Sequence, residues 1–143
     1  MADSTVRHKV EAWIRERHLP KVFGKKFEKQ RVQLQSGQVR EIDAVSLDGA
    51  IHVEIATSAW RTASGNPGTG GQRKVKNDVR DLALVPTGQR VLCVTDPEMA
   101  EWAERQKLRK NFPPDLVVIA VALPKSLRVE LDAAQRLASD EMR

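Results

Sequence analysis

The chain has 143 residues, of which 41% are hydrophobic and 30% are charged. This size and composition are typical of one globular domain. Lysine and arginine outnumber aspartate and glutamate by 24 to 19, for a net charge of +5, which permits a polyanionic partner without establishing one. The single cysteine, Cys93, excludes an internal disulfide, and no apolar run approaches the roughly 18 residues of a membrane span. We therefore expect a cytoplasmic, single-domain protein spanning residues 1–143.

The first half of the chain predicts one helix followed by a three-stranded meander. Apolar residues recur at helical spacing over residues 4–18, with Ser4 as a cap and Pro20 as the end of the helix. Alternating patterns predict strands at 31–35, 39–47 and 51–58. Short turns at 36–38 and 48–50 join them, so consecutive strands are expected to be antiparallel.

The second half alternates helices and strands. The predicted elements are, in order, a glycine-rich loop at 60–71, a helix at 72–84, a buried strand at 90–95, a helix from about 97 to 110 capped by Asp96, a strand at 116–122 and a helix at 125–138. Strands linked by helices are usually parallel. The sequence thus predicts an α/β fold with a mixed five-stranded sheet and helices on both faces.

Two acidic residues lie on neighbouring predicted strands. Asp43 is on the second strand and Glu54 is on the third, and a simple register would project both from the same face. Adjacent carboxylates repel unless a cation joins them, and Mg²⁺ binds one or two carboxylates together with water and phosphate oxygens. The alternative is that both are solvated residues paired with lysines, and spacing alone leaves the two interpretations open.

The order α-β-β-β-α-β, with Asp on the second strand and Glu-x-Lys on the third, resembles the PD-(D/E)XK nuclease superfamily over residues 5–122. The matching residues are Ile42-Asp43 and Glu54-Ile55-Ala56. The resemblance implies a restriction-endonuclease-like fold and Mg²⁺- or Mn²⁺-dependent cleavage of DNA. It implies that Asp43, Glu54 and the Ile55 carbonyl hold the metal, and that a glutamate of the first helix, Glu11 or otherwise Glu16, joins through water. It also implies a role in prokaryotic defence, restriction or repair, and a homodimer.

The chain departs from the superfamily motif at Ala56, where a catalytic lysine is expected. That lysine orients the attacking water, and losing such a group costs about 10²–10³ in rate, by analogy with lost oxyanion donors. Three explanations are open. The protein is a non-cutting relative, or Lys74 or Lys76 of the next helix replaces the lysine, or Ala56 is an inactivating replacement in an otherwise competent enzyme.

Four further residues are candidates for nucleic-acid contact. Lys76 and Arg80 align at i,i+4 and could contact a phosphate backbone. Gln72 precedes the second helix, where some superfamily members have a supporting glutamine. Arg61 opens the glycine-rich loop beside Trp60 and could gate substrate, although core packing of Trp60 and a solvated helix face are the simpler interpretations.

Two classes of function follow from these features. The first is a Mg²⁺-dependent DNA endonuclease. The second is a non-catalytic module on a nuclease fold that binds nucleic acid or a partner protein. A basic α/β domain without any nucleic-acid role is a third interpretation, and divalent-metal effects would discriminate against it.

Overall fold

The computed structural model describes residues 4–62 and 64–141. The helical elements are α1 (Ser4–Trp13), a π-helical segment (Ile14–His18), α2 (Leu19–Phe23), α3 (Thr69–Ala83), α4 (Pro97–Leu108) and α5 (Lys125–Glu141). The strands are β1 (Phe27–Gln33), β2 (Val39–Ser46), β3 (Ile51–Ala56), β4 (Gln89–Val94) and β5 (Val117–Ala120). Within the described residues, no helix has the length and apolar character needed to cross a membrane.

The five strands form one mixed sheet in the order β1-β2-β3-β4-β5. β1, β2 and β3 pair antiparallel, whereas β3, β4 and β5 pair parallel. This confirms the predicted α/β class, the antiparallel meander and the helix-linked parallel strands. The order follows from the connections, because tight turns join only antiparallel neighbours and parallel neighbours need a crossover helix.

Helices cover both faces of the sheet, and β3 lies in the middle with all six residues buried. The π-helical run at the N-terminus and α5 pack on the face that carries Val53 and Ile55. α3 and α4 pack on the opposite face, against Ala56 and Leu92. Because side chains alternate along a strand, Glu54 points to the same face as Ala56, towards α3.

Pro20 does not end the first helix, contrary to the expectation from sequence. The helical backbone continues to Phe23 and ends at Gly24, whose φ is 68°. At the junction the Leu19 N–H donates to the Ile14 carbonyl five residues earlier, so the turn is wider than an α-helical turn. Pro20 then occupies the first turn of α2, where a missing N–H is tolerated.

Two other predicted boundaries were wrong by several residues. β1 begins at Phe27 rather than 31, because Phe27 is buried and pairs with Ser46. α3 begins at Thr69 rather than 72, so its first turn uses glycines that were expected to lie in the loop. In both cases tertiary packing overrode the local preference of lysine-rich or glycine-rich sequence for loops.

Cys93 lies on β4 and has no solvent exposure. Burial raises the pKa of its thiol to about 12, so the thiolate is not formed at neutral pH. A buried thiol of this kind is chemically inert.

Gly88 lies just before β4 and provides a test of the packing there. Its φ is 95°, and a Cβ at this position would lie 2.7 Å from the Ala50 carbonyl oxygen. Gly88→Ala should therefore lower the free energy of unfolding by about 2–4 kcal/mol, from backbone strain plus overpacking. Gly37→Ala is the matched control, because Gly37 has a similar φ of 89° with open space around its Cβ, and it should cost only about 1 kcal/mol. Equal losses in urea unfolding would contradict the contact with Ala50.

Candidate carboxylate site

Asp43 and Glu54 bridge β2 and β3 by reciprocal hydrogen bonds. The Asp43 N–H donates to Glu54 Oε1 at 2.9 Å, and the Ile55 N–H donates to Asp43 Oδ2 at 2.8 Å. The regular pairing of these two strands covers only Ala44 with Val53 and Val45 with His52. The two carboxylates therefore satisfy backbone donors at the place where the ladder between the strands opens.

Glu11 of α1 reaches the same place. It is only 7% exposed, and burial raises its pKa, with the Asp43 carboxylate raising it further. Arg7 lies 3.7 Å away at i,i+4 and opposes this rise. The structure thus brings Glu11 towards Asp43, whereas Glu16 is exposed. Glu11 is therefore a buried carboxyl group and not an exposed residue of the helix surface.

The π-helical segment adds a cation to the backbone of the site. Arg15 lies in this segment, and its Nη1 donates to the Asp43 carbonyl oxygen at 3.2 Å. π-Helical turns occur frequently at functional sites because the extra residue re-aims side chains. Here the turn places a guanidinium beside the strand position that carries the acidic residue.

Asp78 of α3 belongs to the site and was missed from the sequence. It forms a side-chain hydrogen bond with Glu54, which raises the pKa of Glu54 and lowers the pKa of Asp78. Burial, followed by the charges of Asp43 and Asp78, raises the pKa of Glu54 to about 10. Burial also raises the pKa of Asp78, to about 7. An available signal was the i,i+4 spacing of Lys74 and Asp78 beside the apolar stripe of α3.

Lys74 is the cation shared by these carboxyl groups. Burial raises the pKa of Asp43, and the Ile55 N–H and then the Lys74 ammonium oppose that rise. Burial raises the pKa of Asp78 as well, and Lys74 is the largest influence against it. Lys74 also lowers the pKa of Glu11, after burial, Asp43 and Arg7. One partly buried ammonium thus acts on acids from α1, β2 and α3.

Ala56 has no solvent exposure and packs in the apolar cluster under α3 and α4. Its neighbours in that cluster include Val75 of α3 and Val94 of β4. A lysine at this position would have to carry its ammonium out of a close-packed apolar environment. The cation that acts on Glu11, Asp43 and Asp78 together, Lys74, comes instead from α3.

The two basic residues at i,i+4 lie on the other flank of α3. At about 100° per residue, Lys76 and Arg80 are roughly 160–240° around the helix from Lys74 and Asp78. They line a groove between α3 and the segment that follows α4. Lys76 therefore does not face the carboxylates, and Lys74 is the lysine that the structure brings to them.

Arg61 and Trp60 attach the glycine-rich loop to α4. The Arg61 guanidinium donates to both carboxylate oxygens of Glu98, each at 2.9 Å, and to the Gly65 carbonyl at 2.7 Å. Trp60 packs against Trp102 with ring centroids 5.8 Å apart. These contacts give Trp60 the core role that was the simpler expectation. Gln72 lies partly buried in the first turn of α3.

The donor set fits a hard divalent cation. Asp43, Glu54 and the Ile55 carbonyl offer only oxygen atoms, which Mg²⁺ and Mn²⁺ prefer, and Mg²⁺ needs no more than one or two carboxylates. Within residues 4–62 and 64–141, no three His, Cys, Asp or Glu side chains are already arranged to hold a metal ion. The negative charge of the buried acids is reduced by the proton between Glu54 and Asp78 and balanced in part by Lys74. A bound metal cation would balance the same negative charge.

Comparisons with known proteins identify no relative of this chain. No protein-family model matches it, and no curated protein or solved structure is significantly similar to it. Any functional assignment therefore depends on the geometry of the site.

The raised pKa of Glu54 predicts how stability changes with pH. A proton bound more tightly in the folded state stabilises that state below the unfolded pKa of 4.5, and this contribution is lost as the pH rises towards about 10. Glu54→Gln keeps a donor for Asp78 and an acceptor for the Asp43 N–H but does not titrate. We expect the variant and the unaltered protein to have equal free energies of unfolding near pH 4.5. As the pH rises, the unaltered protein should lose stability relative to the variant.

Urea unfolding across this pH range, with EDTA present, measures the effect. Glu41→Gln is the control, since Glu41 lies on β2 with an exposed side chain. Parallel stability curves for Glu54→Gln and the unaltered protein would contradict the buried, protonated state of Glu54.

Proposed function

We propose that this protein is a metal-dependent endonuclease of the PD-(D/E)XK type, with a restriction-endonuclease-like fold, that cleaves phosphodiester bonds in DNA. The observation that carries the proposal is the convergence of Asp43 and Glu54, from adjacent strands, with Lys74 from the following helix. Clustered, largely buried acids are expensive to maintain for structure alone, and perturbed carboxyl groups cluster at functional sites.

Asp43, Glu54 and the Ile55 carbonyl would hold Mg²⁺ or Mn²⁺. When bound, such an ion lowers the pKa of water and stabilises negative charge on a phosphate. Asp43 is held in position by the Ile55 N–H and by Arg15 at its carbonyl. Glu54 is held by the Asp43 N–H. The two ligands are therefore oriented before any substrate arrives.

Lys74 would take the role of the motif lysine that Ala56 lacks. Its ammonium would orient the attacking water and stabilise charge on the phosphate oxygen during attack. Glu11, buried on the α1 side and within the electrostatic influence of Asp43, would hold a water molecule there. In this proposal the catalytic lysine has moved from β3 to α3, and the apolar environment of Ala56 is the result.

A non-catalytic binding module is the second candidate. The observation in its favour is Ala56 itself, because position 56 is filled by core and not by a charged group. The resemblance to the nuclease superfamily also leads us to propose a cytoplasmic homodimer that acts in prokaryotic defence, restriction or repair, with each copy cutting one strand.

Metal binding should release a proton from Glu54, because the metal competes for a carboxyl whose pKa is about 10. Mg²⁺ or Mn²⁺ would be titrated into the protein in two buffers of different ionisation enthalpy. The difference between the two binding heats should correspond to the release of about one proton per metal ion. Asp43→Asn and Glu54→Gln should abolish the heats, and Glu41→Gln should preserve them. Unchanged heats in both site variants would disprove the metal assignment.

Cleavage tests the role of Lys74. Linear, nicked and branched DNA would be incubated with Mn²⁺ or Mg²⁺, and Lys74→Met should cut about 10²–10³ times more slowly than the unaltered protein. Lys26→Met, at an exposed position before β1, should cut at the normal rate. Full activity of Lys74→Met would disprove the hypothesis that Lys74 replaces the motif lysine.

Two other outcomes separate the remaining explanations. Cutting only by the Ala56→Lys variant would identify Ala56 as an inactivating replacement. No cutting by any form would favour the binding module.

A further inference from the structure

A second concave site lies on the far flank of α3. It is a groove of about 670 Å³ between α3 and the segment after α4, within the size range of ligand sites. Its lining includes Lys76, Arg80, Lys110, Phe112, Pro113 and Pro114. Because Lys74 and Asp78 point to the opposite flank, this groove is separate from the carboxylate site.

The charge around the groove has one sign. Lys76, Arg80 and Lys110 line it, and none of its lining residues is acidic. Within the part of the chain that the structure describes, neither Lys76 nor Lys110 forms an ion pair, and Arg80 donates only to Asn77 Oδ1. Three converging cations without a protein counter-charge favour an anionic ligand.

Lys110 is held in a conformation that lysine rarely adopts. Its φ is 64°, and it is the only non-glycine residue with positive φ among those described. It follows the end of α4, where its N–H donates to the Lys107 carbonyl and the Asn111 N–H donates to the Gln106 carbonyl. Glycine is the usual residue at this position of such a helix end. A non-glycine residue in this conformation is strained, and such strain is found most often at ligand sites and active sites.

The floor of the groove is apolar. Phe112 is buried and meets Trp102 edge to face, with ring centroids 5.6 Å apart. The rings of Pro113 and Pro114 follow it directly. At one side the Asn111 amide donates to Gln106 Oε1 at 2.9 Å, so both amides are held in place. Side-chain amides of this kind hydrogen-bond the edges of nucleobases.

We propose that this groove binds one unpaired nucleotide of a nucleic-acid strand. The base would lie on the proline rings and the apolar floor, and its flanking phosphates would contact Lys76, Arg80 and Lys110. A nucleotide fits the groove better than a run of acidic side chains does. Both carry negative charge for the three cations, but only the nucleotide has a planar base to stack on the apolar floor. The choice of DNA as the ligand rests on the proposed function. The groove adds to that function a substrate class, which is DNA with single-stranded or branched segments.

Lys110→Gly is the decisive variant, because it removes one cation and the backbone strain together. Binding of a short, fluorescently labelled single-stranded DNA would be measured by anisotropy in EDTA over a range of salt concentrations. We expect affinity to fall about tenfold and the salt slope to decrease by about one. The melting temperature of Lys110→Gly should stay equal or rise, since glycine suits this φ.

Three comparisons complete the test. Lys26→Gly removes the same charge elsewhere and should leave affinity nearly unchanged, and equal weakening by both variants would overturn the proposal. Duplex DNA should bind more weakly than the single strand, and stronger binding of the duplex or displacement of the single strand by poly-glutamate would overturn it. If the unaltered protein binds the single strand in EDTA but cuts no DNA when Mg²⁺ or Mn²⁺ is present, the result would count against the endonuclease alone and leave the groove assignment standing.

Discussion

The arrangement of this protein depends on carboxyl groups that replace part of a β-ladder. Asp43 and Glu54 accept N–H groups where the pairing of β2 and β3 opens, and this keeps the two strands together without continuous backbone pairing. The cost is burial of adjacent acids, which raises their pKa values. A proton shared with Asp78 and the ammonium of Lys74 offset that cost.

Helix α3 connects the core with both candidate sites. Val75, Val79 and Leu82 form its buried stripe. One flank carries Lys74 and Asp78 to the acids of β2 and β3, and the other carries Lys76 and Arg80 to the groove beside α4. A rotation of α3 that disturbed one flank would disturb the other, because the apolar stripe holds both in register.

Ala56 illustrates how packing and charge are divided at the carboxylate site. The side of β3 that carries Glu54 is closed by the apolar contacts of Ala56, which leaves no polar environment for a lysine at that position. The positive charge approaches from α3 instead. In this site the apolar packing comes from β3, and the shared positive charge comes from α3.

Local patterns in the sequence determined the order of the elements, the mixed five-stranded sheet and the nearness of Asp43 to Glu54, because alternation, helical spacing and the turn at Asp48-Gly49 act over short stretches. Only the tertiary structure decided that the N-terminal helical region continues past Pro20 to Phe23. It also decided that Asp78 and Lys74 join the acids and that Lys110 lies at the rim of a groove. Those features depend on how helices rotate and pack against the sheet. Residues far apart in sequence meet only through that packing, and local periodicity carries no information about it.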